Sequence, residues 1–448
     1  MAVRRRAGRA TTRDEAPGPQ PTEPDPRPQL TGAAARYVAV AFDERPSLAP
    51  EILDLLRATG RRLPDEWLPD LMALAKRRED AATYIELGGT RTAWLARTFP
   101  ELAGDVWWGR GDDWDDAWAA TETGAAKAAV IRRIRQSDLP RARAALATWW
   151  ASIPSPERAR VLEAVEVRVE RADEPFLVEA LTDRRAEVRT TAAGLLVLLP
   201  DSALSSRIEY ETRPVLATGG LVRKSLKVTL PTPSEELAAL GFESRPQAGY
   251  GERAWLLRSL LAHVRPGRWS EWLGVDAAGL VDMAARSDEA RPLLEGWIAA
   301  TGRFGDPLWA MALLSNPAVA NKVSTEVGLV LDGLSSADRA AAVAASAAAL
   351  HPPVLAELAA SIPAPWPRPL ADAVLDVAGL VGREQFPGPG LYELVRAAAL
   401  RLQPDRADDL TRVASYKNEL RPALTDVVET IRLRARIHEA FAAVPRPA

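Results

Sequence analysis

The 448-residue chain contains no cysteine, which excludes disulfides, thiolate metal sites and thiol catalysis. Its three histidines, His263, His351 and His438, stand alone, with no second ligand at helical spacing. Neither a zinc site nor a partnered histidine base is expected from them. No run of about 18 apolar residues occurs, so no membrane-spanning helix is expected. Lysine is nearly absent beside arginine, and the seven Phe and six Tyr are few for this length. The hydrophobic 47% rests on Ala and Leu instead, a bias that favours helix over strand. A formal charge of -3 argues against a nucleic-acid coat or a membrane-surface protein. No apolar segment follows Met1-Ala2-Val3-Arg4-Arg5-Arg6, so a secretory signal is not expected and a cytoplasmic protein is.

What the chain does have is helical periodicity. From Leu181 to Pro200, Val188, Ala192, Leu195, Leu196 and Leu199 form one stripe. Phe176, Leu177, Ala180 and Leu181 form a shorter one, with Asp173 at the expected N-cap and Pro175 in the first turn. Two such short helices cannot bury their faces alone and need stacked neighbours. Helices are expected near 49–59, 65–77, 90–98, 112–120, 124–136, 139–152, 156–169, 173–181 and 186–199, broken by Pro or Gly. At 207–231 the period changes to two, with Leu226, Val228 and Leu230 alternating with polar residues. Gly219-Gly220 predicts a β-hairpin there, and Pro214 confines its strand to an edge. The fold class expected is all-α, a HEAT/ARM-like solenoid with a small hairpin insertion. The domains read as a disordered Pro-rich leader (1–36), N-terminal repeats (37–206), hairpin and linker (207–245) and C-terminal repeats (246–448).

Few residues carry chemistry. Asp112, Asp113, Asp115 and Asp116 surround Trp114. A calcium loop requires Gly at the sixth position, where counting from Asp113 gives Trp118, so a packed Trp pair beside a solvated acidic turn is expected. The run 217–225 lacks the Gly-Lys-Ser/Thr order of a phosphate loop. Between Lys127 and Arg160 lie Arg132, Arg133, Arg135, Arg141, Arg143 and Arg158, with Trp149 and Trp150 beside them. Arg132, Arg135, Arg141, Arg143 and Trp149 form a candidate interaction patch, which a nucleic-acid backbone would suit. The blander reading is a solvated face countered by the acidic cluster upstream. Asp183 and Arg189 lie six apart across the turn between the two striped helices, where, as the similar Asp and Val-Arg of HEAT-type repeats do, the two side chains are expected to tie adjacent repeats together by charge-assisted hydrogen bonds.

These residues resemble an uncharacterised family of bacterial HEAT-like helical proteins. GTRTAWLARTFPELA at 89–103 is similar to the family's G-x-R-G-x-W-L-A segment. A second match runs through 173–200 to Ser202 and Arg207, and a third is Gly251 to Leu256. The resemblance covers roughly residues 45 to 320, and Thr92 stands where the family has its second Gly. It makes Gly89, Arg91, Trp94, Asp183, Val188 and Arg189 signature positions of unassigned role. It also implies an association with MoxR-type AAA+ ATPases and von Willebrand factor A proteins.

With no catalytic constellation, cofactor site or metal site legible, a non-enzymatic scaffold that binds a protein partner is expected. The alternative is a HEAT-like repair glycosylase acting on alkylated bases, which uses Arg contacts and Trp packing without readable motifs.

Overall fold

The computed structural model describes residues 24–75, 81–98, 114–119, 121, 123–199, 202–220, 225–242, 246, 249–319, 327–382, 389–414 and 421–445. The chain is mainly α-helical, with one two-stranded antiparallel sheet among the described residues. It forms two compact units, residues 1–111 with 436–448, and residues 112–435.

The first unit holds α1 (Gly32–Glu44), α2 (Ala49–Thr59), α3 (Leu68–Ala75), α4 (Ala81–Gly88) and α5 (Thr90–Thr98). Helix α2 ends at Gly60, whose φ of 61° lets the chain close a left-handed C-cap. The expected disordered leader gives way to structure before residue 36. Leu30 donates to the Arg62 carbonyl at 2.7 Å, Arg62 returns a bond to Pro28 at 3.1 Å, and α1 begins at Gly32. Burial of Leu30, Ala34, Val38 and Ala41 supplies the reason. Residues 1–23 of the leader lie outside the described residues.

The second unit continues with α6 (Trp114–Ala119), α7 (Gly124–Ser137), α8 (Leu139–Trp149), α9 (Arg158–Leu162), α10 (Glu174–Ala180), α11 (Ala186–Leu196) and α12 (Ala203–Thr212). Strands β1 (Leu216–Gly219) and β2 (Ser225–Val228) follow, then α13 (Glu235–Ala239), α14 (Glu252–Leu261), α15 (Pro266–Leu273), α16 (Ala277–Ala285), α17 (Ala290–Phe304) and α18 (Pro307–Leu314). The series ends with α19 (Ser336–Ser346), α20 (Pro352–Ala360), α21 (Arg368–Gly382), α22 (Pro389–Arg401), α23 (Ala407–Ala414) and α24 (Arg421–Ala442), whose residues from Arg436 on belong to the first unit. Helices pack on their next or next-but-one neighbours: α7 on α9, α9 on α11, α18 on α19, α19 on α21, α20 on α22. Each short amphipathic helix thereby buries a face that it cannot bury alone. Trp269, Trp297, Trp309 and Trp366 are fully buried in a core that runs on from Val197 to Ile431.

Expectation and structure differ in three places. The helix expected over 156–169 is α9 followed by a 3-10 turn, Glu163–Glu166, because the chain must bend back toward α7. The hairpin exists, but residues 207–212 belong to α12 and Pro214 sits in the 3-10 turn Arg213–Val215 ahead of β1. Nor does the hairpin divide two repeat domains. Leu226, Val228 and Leu230 pack against the same core as the helices on either side, and the unit boundary falls at residues 111 and 112.

One contact shows how tightly this core is built. A Cβ on Gly302 of α17 would lie 2.0 Å from the Leu329 carbonyl oxygen, and one on Gly333 would lie 2.0 Å from the Gly302 oxygen. Gly379 of α21 faces nothing within 4 Å. Gly302→Ala should therefore cost at least about 2 kcal/mol by overpacking. Gly379→Ala should gain about 0.5–1 kcal/mol from helix propensity. Urea unfolding of the two variants checks the contrast, which equal effects would refute.

Candidate functional site

The expected arginine patch is mostly an internal ion-pair network. Helix α7 is capped by Thr123, whose hydroxyl accepts from the Ala126 amide at 3.2 Å. Its apolar positions Ala128, Ile131 and Ile134 are buried, and Arg135 lies on that same side at only 1% exposure. The Arg135 guanidinium meets the Asp173 carboxylate in a two-point fork, Nη1 to Oδ1 at 3.1 Å and Nη2 to Oδ2 at 2.9 Å. Its Nε donates to the Val167 carbonyl at 3.0 Å, and Nη2 also donates to that of Arg168 at 2.7 Å. These bonds hold a bend in which Arg168 adopts φ 64°, a left-handed conformation that a side-chain-bearing residue takes only when its surroundings impose it.

Asp173, 3% exposed, is the hub. Its Oδ1 also accepts from Arg143 Nε at 3.0 Å, and Oδ2 accepts from the Glu170 amide at 2.8 Å in a capping box. Burial alone would raise its pKa. The bonds from Arg135, the Glu170 amide and Arg143 outweigh burial and hold the carboxyl below its ordinary value. Arg143 reaches Glu170 as well, at 2.6 Å. Of the candidate patch, Arg135 and Arg143 are thus internally engaged. Trp149 is buried and stacked on Trp118, with ring centres 4.4 Å apart. Arg141 and Arg133 are exposed and Arg132 is half-buried. Among the described residues, countercharges come from downstream: Lys127 pairs with Glu157 at 2.9 Å and Arg160 with Glu163 at 2.7 Å.

The Asp183 and Arg189 side chains make separate contacts at the turn ahead of α11. The Asp183 carboxylate accepts from Arg158 Nη1 at 2.9 Å and from the Arg185 amide at 2.9 Å. Arg189 instead donates to the Asp183 backbone carbonyl at 2.5 Å. The geometric reason is that Arg158 opens α9, the helix packed against α11, and so reaches the turn from the preceding layer. Burial would raise the Asp183 carboxyl, but the Arg185 amide and Arg158 prevail and lower it. Val188 is fully buried, in line with a packing role.

The other signature positions sit in the first unit. Gly89 has φ 76°, and a Cβ there would lie 2.1 Å from Asp25 Oδ2, so only glycine fits. That Asp25 oxygen accepts from the Thr90 amide at 3.1 Å, at the start of α5. Arg91 pairs with Asp65 at 2.5 Å, and Trp94 is half-buried. Thr92 is buried against Gly88, where a Cβ would lie 1.7 Å from its hydroxyl. The glycine one turn earlier leaves the room that the Thr92 side chain fills.

Among the described residues, no three His, Asp or Glu side chains converge as metal ligands. Asp112, Asp113, Trp107 and Trp108 lie outside the described residues, as do Arg223 and Lys224 of the glycine-rich run. His263 is buried, His351 is exposed ahead of α20, and His438 meets Glu51 at 2.7 Å within the first unit.

A surface feature that sequence reasoning missed lies beside the hairpin. Tyr210, Glu211, Arg213, Pro214, Trp272 and Leu273 flank β1 and enclose a groove of about 740 Å³ that Leu216, Ala217 and Thr218 also line. Tyr210 is 74% exposed, and the Arg213 guanidinium lies 5.9 Å from the Trp272 ring centre. Thr229 donates to the Val215 carbonyl at 2.9 Å, so in the register Leu216↔Val228 and Thr218↔Leu226 the main-chain groups of Leu216 and Thr218 point away from β2, toward the open edge. Only the clustering of Tyr and Arg ahead of the strand hinted at this. Partners distant in sequence, such as Trp272, carry no such signal.

A family model described as a family of unknown function (DUF5691) matches residues 1–441. No curated protein matches the chain.

The Asp173 hub generates an acid-stability prediction. Asp173 and Asp183 both have depressed folded values, so their contribution is complete above the unfolded carboxylate value, about 4. It is lost as pH falls through the depressed values. Asp173→Asn should lower stability at pH 7 by about 3–5 kcal/mol, because Arg135 is left as a buried charge without its counterion. The variant should also lose stability less steeply below pH 4 than the parent. Urea unfolding between pH 7 and 2.5 measures both, and an unchanged acid slope would contradict the assignment.

Proposed function

We propose that this chain, which belongs to the family of unknown function DUF5691, is a non-enzymatic HEAT-like scaffold that engages a protein partner along strand β1. The observation that carries the reading is the open β1 edge beside an aromatic groove. A partner segment in extended conformation would add as a third strand to Leu216 and Thr218, the mode known as strand addition. Four main-chain groups at about 1 kcal/mol net each cannot alone hold a specific complex. The aromatic rings of Tyr210 and Trp272 and the Arg213 guanidinium beside them supply the side-chain anchors that such interfaces concentrate their energy in.

The partner suggested by the resemblance is a MoxR-type AAA+ ATPase or a von Willebrand factor A protein, and the setting is cytoplasmic. No helix among the described residues is long and apolar enough to cross a membrane, which agrees with a partner met in water. The repair-glycosylase alternative gains nothing here, since Arg135 and Arg143, its proposed grip on nucleic acid, are committed to Asp173 and Glu170.

The test is recovery of the tagged chain from its own cell lysate with and without ATP, followed by direct binding to whatever ATPase or von Willebrand A protein is recovered. Thr218→Pro removes an outward amide without touching the ladder to β2, a placement that edge strands tolerate. It should weaken binding at least tenfold, as should Tyr210→Ala. Recovery of nucleic acid alone, or binding unchanged in both variants, would overturn the proposal.

A further inference from the structure

Two exposed cations flank the open edge of β1, and neither is ion-paired among the described residues. Arg213 lines the groove just ahead of the strand, its guanidinium beside the Trp272 ring. Contact with a ring leaves its charge uncancelled. Lys227 sits on β2 opposite Ala217. Its neighbours Leu226 and Val228 pack against the core, so Lys227 and Ala217 share the outer face of the hairpin. A Cβ on Gly219 would lie 2.7 Å from Lys227 Cε and 3.3 Å from its Cγ. The lysine stem therefore runs from β2 onto β1 over bare glycine and carries its ammonium toward the open edge. Gly219 is three residues beyond Leu216, or about 10 Å along the strand, so the two cations mark its two ends.

The carboxylates of the helices that frame the groove are already engaged. On α12, Glu211 pairs with Arg207 at 2.9 Å and Glu209 with Arg268 at 3.0 Å. On α15, Glu271 pairs with Arg268 at 2.8 Å. The strand edge is left with unmatched positive charge beside an aromatic wall. A second copy of this chain would bring its own Arg213 and Lys227 to the same line, and like charges there oppose edge-to-edge pairing. An acidic segment meets attraction at those positions.

We propose, resting on the strand-addition reading above, that the segment received by β1 is acidic, with Asp or Glu alternating with apolar residues. An added strand turns successive side chains to opposite faces. One set enters the groove against Tyr210, Trp272 and Leu273, where apolar residues are favoured. The other set shares the outer face with Ala217 and Lys227, where carboxylates are favoured. A carboxylate at the end nearest Pro214 meets Arg213. Exposed ion pairs are individually weak, so the charges select the partner more than they hold it.

The experiment is fluorescence polarisation of the full chain with end-blocked peptides of about eight residues, in which valine alternates with glutamate, threonine or lysine. At low salt the glutamate peptide should bind at least about tenfold more tightly than the lysine peptide, the difference between two attractions and two repulsions. The threonine peptide should fall between them, and the spread should shrink at about 0.5 M salt. Arg213→Glu with Lys227→Glu, both at exposed positions, should reverse the order. Thr218→Pro should weaken all three peptides, which reads strand addition separately from charge. Equal affinities that all fall with Thr218→Pro would overturn the acidic preference and leave strand addition standing. Binding unchanged by Thr218→Pro, or no binding by any peptide, would overturn strand addition and the acidic preference with it. Dimerisation of the free chain in sedimentation, lost in Thr218→Pro, would assign the edge to a second copy and also overturn the proposal.

Discussion

The buried fork between Arg135 and Asp173 is the constraint on which the first half of the larger unit depends. It joins α7 to the turn that opens α10, two places 38 residues apart. Through the Val167 and Arg168 carbonyls it also dictates the bend between them. Attraction between buried charges is largely offset by their desolvation, so such a pair adds little net stability over well-packed apolar residues. What it does provide is register. Only one placement of α10 against α7 lets Asp173 receive both guanidinium nitrogens, Arg143 and the Glu170 amide together. Arg158 and Asp183 repeat the device one layer on, linking α9 to the turn ahead of α11.

The second half of the unit solves the same problem with different parts. Close backbone contact at Gly302 and Gly333 fixes α17 against the 327–331 turn, and four buried Trp rings fill the space between helices. Glu295 gathers Arg258, Arg291 and Tyr250 much as Asp173 gathers its donors.

The helical class was legible from the Ala and Leu bias and the stripes at 173–199, and the hairpin from alternation at Leu226, Val228 and Leu230. Helix ends near Gly60, Gly124 and Pro154 followed from the Gly and Pro breaks, which act locally. Asp173 was legible only as an N-cap, because the preference of Asp for that position says nothing about an arginine 38 residues earlier. Arg135 read as surface for the same reason: composition marks a charged side chain as solvated, and only the fold brings its counterion. At Asp183 the residue was legible but its partner was not, because the packing of α9 on α11 brings Arg158 to it from 25 residues earlier. The groove at β1 is assembled from α12, the strand and α15, and no local pattern spans those three.

The most direct test of the ion-pair constraint is a double-mutant cycle at Arg135 and Asp173, measured as unfolding free energy with Arg135→Met, Asp173→Leu and both together. A register-setting pair predicts that each single change is strongly destabilising while the double change costs at least about 2 kcal/mol less than their sum. Additive losses within about 0.5 kcal/mol would contradict the account, for they would mean that the two residues act on the fold independently.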